Sequence, residues 1–329
     1  MAGLTLLSRS AVVASGILRR SLPLLMSSVA GGALIVSAAA QSTAPSIGPA
    51  LSSVQNTGSN GLSGQNADGC TYPPYSGTTG NPSDDVFTSF DNGLSSGSTY
   101  DATMVLVTVT GGQGGAGGSG GSCFGGQPGG QAGDGGTADI TIDSQSGSFT
   151  FEYSGIVVIS QGGRGGNGGG TSSVDYKGGA GGNGGNGGAV TVDNSIALTT
   201  VGTDSYGIWA QSVGGQGGNG GNENSSVSSG NGGAAGTGGA GGTVTVNNYA
   251  AITTTAATGI FAQSIGGNGG DGGSANGWYG GVSGGGGYGG DSGAITVTNY
   301  AGANILTEGA GSYGIYAQSV GGGGGNAGV

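Results

Sequence analysis

The octapeptide Tyr206-Gly-Ile-Trp-Ala-Gln-Ser-Val213 is the stretch of sequence that decides the fold, because close copies of it recur at 259–265 and 313–320. A weaker copy lies at 153–160. The Gly-Ile dipeptides of the four copies are 52, 52 and 55 residues apart, at Gly155, Gly207, Gly259 and Gly314. Repetition at a fixed period of this length is typical of stacked repeats, and it constrains a fold more firmly than local propensity.

Each copy carries three short runs of β-branched and aromatic residues separated by Asn, Gly or Ser, which is the chemistry of strands and turns. In the clearest copy these runs are 190–192, 196–200 and 207–213. One copy is too small to bury its own apolar side chains, whereas stacked copies share a continuous interior. The sequence therefore predicts an all-β repeat solenoid, a parallel β-helix with about one three-strand rung per ~53-residue repeat.

Stacking in register aligns equivalent residues into columns. Asn194, Asn248 and Asn299 would form a column that can hydrogen-bond along the axis. Neighbours on a strand point to opposite faces, so an aliphatic column would lie on one face, and an aromatic and an amide column on the other. The aliphatic column is Ile208, Ile260 and Ile315. The aromatic column is Trp209, Phe261 and Tyr316, and the amide column is Gln211, Gln263 and Gln318. The residues alone do not decide which face is inside. If exposed, the aromatic and amide columns are the candidate binding residues, since repeated π faces suit sugars or partner chains.

Glycine-rich inserts separate the copies, in a chain in which 88 of 329 residues are glycine. Residues 178–189 read as four Gly-Gly-X triplets, so this insert has a period of three. One interpretation is a flexible loop, favoured by backbone entropy. The other is a hairpin of two polyproline-II-like polyglycine strands, packed beside the inserts of neighbouring rungs because glycine faces let backbones approach closely.

The first 40 residues have the pattern of an export signal. Arg9, Arg19 and Arg20 precede an uncharged, largely apolar run over 22–36, and Ser37-Ala-Ala-Ala40 follows as a cleavage site. We expect residues 1–40 to be a signal peptide; the alternative, an uncleaved membrane anchor, needs an apolar run of about 20 residues. We predict residues 41–98, rich in Ser, Thr, Gly, Asn and Pro, to be a polar N-terminal leader or cap, and residues 99–329 to be the solenoid.

Without the signal peptide the chain keeps two bases, Arg164 and Lys177, against 16 acids, a net charge of −14. This excess opposes binding to nucleic acids and to anionic membranes. The two cysteines, Cys70 and Cys123, are compatible with one disulfide or with two free thiols, and export favours the disulfide.

The composition excludes several kinds of catalysis. There is no histidine, which removes Ser-His-Asp and Cys-His mechanisms and imidazole zinc sites. Two carboxylate pairs could cleave glycans, but Asp84 and Asp85 are adjacent and diverge on a strand, and the Asp139–Asp143 pair is not repeated in later copies. We therefore predict no enzyme, cofactor or metal site.

The unit Gly-Ile-(Trp/Phe/Tyr)-Ala-Gln-Ser-(Val/Ile)-Gly-Gly, joined to Gly-Gly-X runs and Val-Thr-Val-X-Asn, resembles the glycine-rich passenger regions of Gram-negative autotransporters, the type V secretion family. The resemblance covers the signal peptide and residues 99–329. It implies export to the periplasm, then display on the outer membrane or release outside the cell through a C-terminal translocator barrel. Barrel strands are absent from the sequence, so we expect a chain truncated at its C-terminus; without a translocator the product would stay periplasmic.

The resulting hypothesis is a non-enzymatic, surface-exposed or secreted passenger with a structural or adhesive role. Its expected partners are glycans or other cell-surface chains, and a membrane only through the missing translocator. One alternative is a secreted glycan-active β-helix enzyme. The other is a glycine-rich structural protein, similar to PGRS proteins in its Gly-Gly-X runs but not in its Gly-Ile-X-Ala-Gln-Ser repeat.

Overall fold

The computed structural model describes residues 45–90, 97–143, 147–173, 175–225, 230–277 and 280–329. The predicted signal peptide lies outside the described residues. Residues from Pro45 to Val329 form one compact unit. Its described part contains 16 strands and no helix, which confirms the all-β prediction, and no membrane-spanning helix is found there.

The strands form three parallel sheets whose neighbours come from successive turns of the chain. The first sheet has the order β1-β4-β7-β10-β13-β16, with bounds Ala50–Thr57, Thr103–Thr110, Ile156–Gln161, Ile208–Val213, Ile260–Ile265 and Ile315–Val320. The second has the order β2-β5-β8-β11-β14, with bounds Val86–Phe90, Ala138–Ile142, Val190–Asn194, Val244–Asn248 and Ile295–Asn299. The third has the order β3-β6-β9-β12-β15, with bounds Thr99–Tyr100, Ser148–Phe151, Ala197–Thr200, Ile252–Thr254 and Ile305–Thr307.

Each turn of the solenoid passes through one strand of each sheet, with the glycine insert between the first and second. The repeats stack in the predicted register: Ile208 pairs with Ile260, and Ile260 with Ile315. The parallel β-helix with one three-strand rung per repeat is thereby confirmed.

The compact face of the Gly-Ile-X-Ala-Gln-Ser motif points inward. Ile208, Ala210 and Ser212 are fully buried, and the first two belong to the main core with Val192, Leu198 and their counterparts in other turns. Strand alternation then turns the aromatic and amide columns outward. This settles the orientation that the sequence leaves open.

The glycine inserts are ordered hairpins, as the second interpretation predicts. Their outgoing segments (58–67, 111–120, 162–170, 214–222, 266–275 and 321–329) and return segments (75–85, 126–137, 178–189, 232–243 and 283–294) form two layers, here called the glycine slab. Gly217 N donates to Asn268 O of the next outgoing segment, and Gly218 N donates to Gly182 O of the preceding return segment, at 2.9 and 2.8 Å. The pattern recurs three residues later with Gly220 and Gly221, which is the period of a polyglycine-II arrangement.

The predicted division at residue 98 does not coincide with a boundary in the structure. Strand β1 pairs with β4, and β2 pairs with β5, so residues 50–90 supply the first turn. Gly58 and Gly61 donate to Thr110 O and Gln113 O of the next turn, although this insert is poorer in glycine than the others. The segment predicted as a leader or cap is therefore mostly solenoid.

Candidate functional site

The predicted binding columns lie on the outer face of the first sheet, in register across β10, β13 and β16. Trp209 pairs with Phe261, and Phe261 with Tyr316; Gln211, Gln263 and Gln318 pair in the same way. The structure therefore brings together all six predicted residues.

The aromatic column is not exposed, which corrects the expectation of an accessible ladder. Trp209 is 4% and Phe261 1% exposed, and Tyr316 is half-buried. They form a second cluster with Tyr206 and Ala257 from the corners before the strands. Corner residues of adjacent turns thus cover this part of the outer face.

A segment preceding β1 adds to this cover. Ile47 packs against the aromatic cluster. Ser46 N donates to Asp204 O at 2.8 Å, and Ser154 N donates to Ser46 O at 3.1 Å. These bonds fix residues 45–49 across corners of later turns, a contact that no sequence pattern indicated.

The aromatic rings of this column also stack face to face on one another. Trp209 and Phe261 stack with centroids 4.2 Å apart, and Phe261 and Tyr316 at 5.4 Å with an interplanar angle of 2°. Tyr206 packs edge-on against Trp209, with centroids 4.8 Å apart. The Trp209 indole nitrogen is buried without a hydrogen-bond partner in the described part of the chain. Because stacked faces are unavailable to a sugar ring, the column stabilises the solenoid.

The glutamine column forms a continuous amide ladder. Gln211 Nε2 donates to Gln263 Oε1 at 2.6 Å, and Gln263 Nε2 donates to Gln318 Oε1 at 2.7 Å. Gln263 is 6% exposed, whereas Gln211 and Gln318 are half-buried. Each amide thus meets its neighbours along the axis, as in stacked amide ladders.

The asparagine column is confirmed, and its first two members lie in the interior. Asn194 Nδ2 donates to Asn248 Oδ1, and Asn248 Nδ2 donates to Asn299 Oδ1, both at 2.8 Å. Asn194 and Asn248 are fully buried, and their Nδ2 groups also donate to the carbonyls of Ile196 and Ala250. Buried amides satisfied in this way fix the turn after the second sheet.

A serine column joins the β-helix to the glycine slab, and sequence reasoning missed it. Ser212 Oγ donates to Gly188 O of the preceding return segment and accepts from Gly242 N of its own, both at 2.8 Å. Ser160 and Ser264 make the equivalent pairs of bonds. The signal was present, since each of these residues faces inward just before a glycine run.

Asn and Asp side chains at the third position of the slab triplets hydrogen-bond to the backbone of the next insert, which the sequence did not reveal. Asn167 Oδ1 accepts from Asn219 N at 2.9 Å, and Asn219 Oδ1 accepts from Asp271 N at 3.0 Å. Asp271 Oδ1 accepts from Asn326 N at 2.8 Å. The side chain of one insert therefore satisfies the outward amide of the next.

The two cysteines form the predicted disulfide. Cys70 and Cys123 lie at the tips of the first two glycine hairpins, 53 residues apart, with Cα atoms separated by 5.3 Å. The bond therefore links consecutive turns at the edge of the slab farthest from the β-helix.

The carboxylates considered for catalysis do not converge on a site. Asp85 Oδ1 accepts from Thr137 N of the next turn at 2.6 Å. Asp139 is half-buried on β5 and Asp143 is exposed beyond its end. In the described ranges, no three His, Cys, Asp or Glu residues are grouped so that they could hold a metal ion.

Comparisons with known proteins add little. No protein-family model and no curated protein matches the chain. Among solved structures, the nine polyproline type II helical bundle antifreeze protein from the springtail Granisotoma rainieri is 21% identical, with 67% of this chain and 92% of that chain covered and a TM-score of 0.11. A TM-score of this size carries no argument about fold or function.

Proposed function

We propose that this chain is a non-enzymatic passenger of the autotransporter type, exported to the cell surface or beyond it, where it serves as a structural or adhesive body. The observation that carries the proposal is the use of its repeated polar side chains for stacking. The Asn, Gln and Ser columns bond from turn to turn, so these repeats serve to extend a rigid solenoid.

Two further features support export and display. The Cys70–Cys123 disulfide suits an oxidising compartment. The negative charge of the mature chain favours a body that remains soluble and is repelled by anionic surfaces. A displayed body of this kind would meet uncharged glycans or protein surfaces.

The test is localisation in the source organism followed by an attachment assay. Antibody raised against residues 45–329 should label intact cells, and added protease should remove the label without lysis. Deletion of the gene should reduce attachment to cells or glycan-coated surfaces, and the wild-type gene should restore it.

Label that appears only after lysis would contradict surface display. Unchanged attachment after deletion would remove the adhesive role and leave the structural one. The enzyme alternative predicts that the wild-type chain turns over a polysaccharide and that Asp139→Asn abolishes this turnover. We expect no turnover from the wild-type chain or from the variant.

A further inference from the structure

Two tyrosines on the outer surface stack on each other across consecutive turns. Tyr249 follows β11 and Tyr300 follows β14; their backbone amides donate to Asn194 O and Asn248 O, which holds both residues in equivalent positions. The ring centroids are 4.2 Å apart with an interplanar angle of 14°. Tyr249 is 47% and Tyr300 42% exposed, so a small oxidant can reach both rings.

The two phenols also influence each other's proton binding. A hydrogen bond with Tyr300 is the main cause that raises the pKa of Tyr249, with smaller contributions from desolvation and from the charges of Tyr300 and Asp193. Because the two tyrosines occupy equivalent positions after parallel strands, their nearly parallel rings, with centroids 4.2 Å apart, also bring together the carbons ortho to the hydroxyls.

No other ring pair among the described residues combines these features. The Trp209–Phe261 pair is buried and has no phenol. Tyr313 and Tyr316 are inclined at 51° with centroids 5.5 Å apart, and Tyr100 stacks on a phenylalanine. Among the ring pairs recorded in the described ranges, exposure, parallel stacking and two phenols coincide at Tyr249 and Tyr300.

We propose that Tyr249 and Tyr300 are an oxidative modification site at which a peroxide, acting through a peroxidase, couples the two rings into an intramolecular dityrosine. Each phenol loses one electron and one proton to give a phenoxyl radical. A carbon–carbon bond forms between the two ortho carbons, and their hydrogens move to the oxygens to restore both phenols. The peroxide takes up the two electrons and two protons, its O–O bond breaks, and two water molecules leave when it is hydrogen peroxide.

The new bond would be a covalent staple between turns on the side of the β-helix. It would join residues 51 positions apart in the chain, close to the 53 that separate the disulfide cysteines at the slab tips. Each bond links a residue to its counterpart one turn away, because register stacking brings equivalent residues together. The proposal does not depend on the adhesive role.

The experiment treats the dilute mature chain with hydrogen peroxide and a heme peroxidase. We expect dityrosine fluorescence in a band that runs as a monomer on a denaturing gel, and an intact mass lower by two hydrogens. Digestion should yield one cross-linked peptide pair that contains residues 249 and 300. The coupled protein should unfold at a higher temperature than the untreated one.

Tyr249→Phe and Tyr300→Phe should each abolish the intramolecular product, whereas Tyr313→Phe, which changes another exposed tyrosine, should leave it intact. The substitutions keep the ring stack, so the fold is expected to persist; an unchanged circular dichroism spectrum checks this. Fluorescence that persists in Tyr249→Phe, product found only in dimers, or peptides that join other tyrosines would overturn the proposal.

Discussion

The β-helix and the glycine slab are built from the same turns of one chain, yet different groups hold them together. In the β-helix the turns meet through paired strands and also through side chains that pack between the sheets, such as the fully buried Ile208 and Ile260. In the slab the contacts are between backbones: a Cβ added at Gly218 would meet backbone atoms of Gly166 and Gly165. Burial of apolar side chains therefore adds to backbone pairing in the β-helix, whereas the slab depends on close-range amide hydrogen bonding.

This difference predicts opposite tolerance to substitution. A core of side chains accepts apolar replacements of similar volume, because neighbours can repack. A slab of touching backbones cannot repack, since the atoms that a new Cβ would displace are main-chain carbonyls. In the described segments that have neighbours on both sides, the outward third position of a triplet leaves room for a side chain, as at Gly285.

The largest effect is expected from Gly218→Ala. The added methyl group would overlap the carbonyl oxygen of Gly166, which accepts a hydrogen bond from Gly182 N. We expect a loss of about 3 kcal/mol or more in the free energy of unfolding, because two adjacent outgoing segments must move apart. Urea denaturation followed by circular dichroism measures it.

Gly285→Ala is the matched control. Gly285 occupies an outward third position of a return segment, and a Cβ there meets no atom within 4 Å. The free energy of unfolding should stay constant or rise by about 0.5 kcal/mol, as expected when glycine is replaced without strain. Equal losses from both substitutions would show that the slab does not depend on close backbone packing.

Ile208→Ala tests the β-helix in the same assay. Ile208 is fully buried between its neighbours in adjacent turns, and truncation leaves a cavity that costs about 2–5 kcal/mol. Leu306→Ala removes a comparable side chain that is 55% exposed and should have much less effect. Similar losses at both positions would mean that side-chain burial does not stabilise this region.

Ser212→Ala addresses the junction between the two regions. The Ser212 hydroxyl donates to Gly188 O and accepts from Gly242 N. Removing the hydroxyl leaves that carbonyl and that amide buried and unpaired, which should lower the free energy of unfolding by about 1–3 kcal/mol. Hydrogen exchange should rise in the return segments more than in the strands. Ser172→Ala, at an exposed position, is the control; uniform exchange across both regions would argue against a junction role for Ser212.

The sequence predicts the β-helix well because its signal is a repeat of whole rungs. Register follows once Ile208, Ile260 and Ile315 are aligned, and the Asn column follows from the same alignment. The sequence does not predict the first turn, because its insert has fewer glycines and its strand β1 lacks the Gly-Ile-X-Ala-Gln-Ser motif. In this turn the strand pairing and the hydrogen bonds of the insert are the same as in later turns, although the motif and the dense glycines are missing.

The candidate site was predicted less well, for a physical reason. Alternation places Trp209 and Phe261 on the outer face, but their exposure depends on Tyr206, Ala257 and Ile47. Those residues reach the face from corners and from the segment before β1, and no strand periodicity describes them. An outward position on a sheet is therefore not the same as a surface position when neighbouring segments cover the sheet.

The smallest effect on stability is expected from alkaline pH, which acts through the ionisation of a tyrosine on the β-helix. The raised pKa of Tyr249 means that the folded chain holds this proton more tightly than the unfolded chain does. The associated stability is complete below the ordinary tyrosine pKa of about 10 and is lost as pH rises through the raised value. Tyr249 directly follows β11, so this loss belongs to the β-helix side. Tyr249→Phe should flatten the decline in unfolding midpoint above about pH 10, while an equally steep decline in this variant would assign the alkaline sensitivity elsewhere.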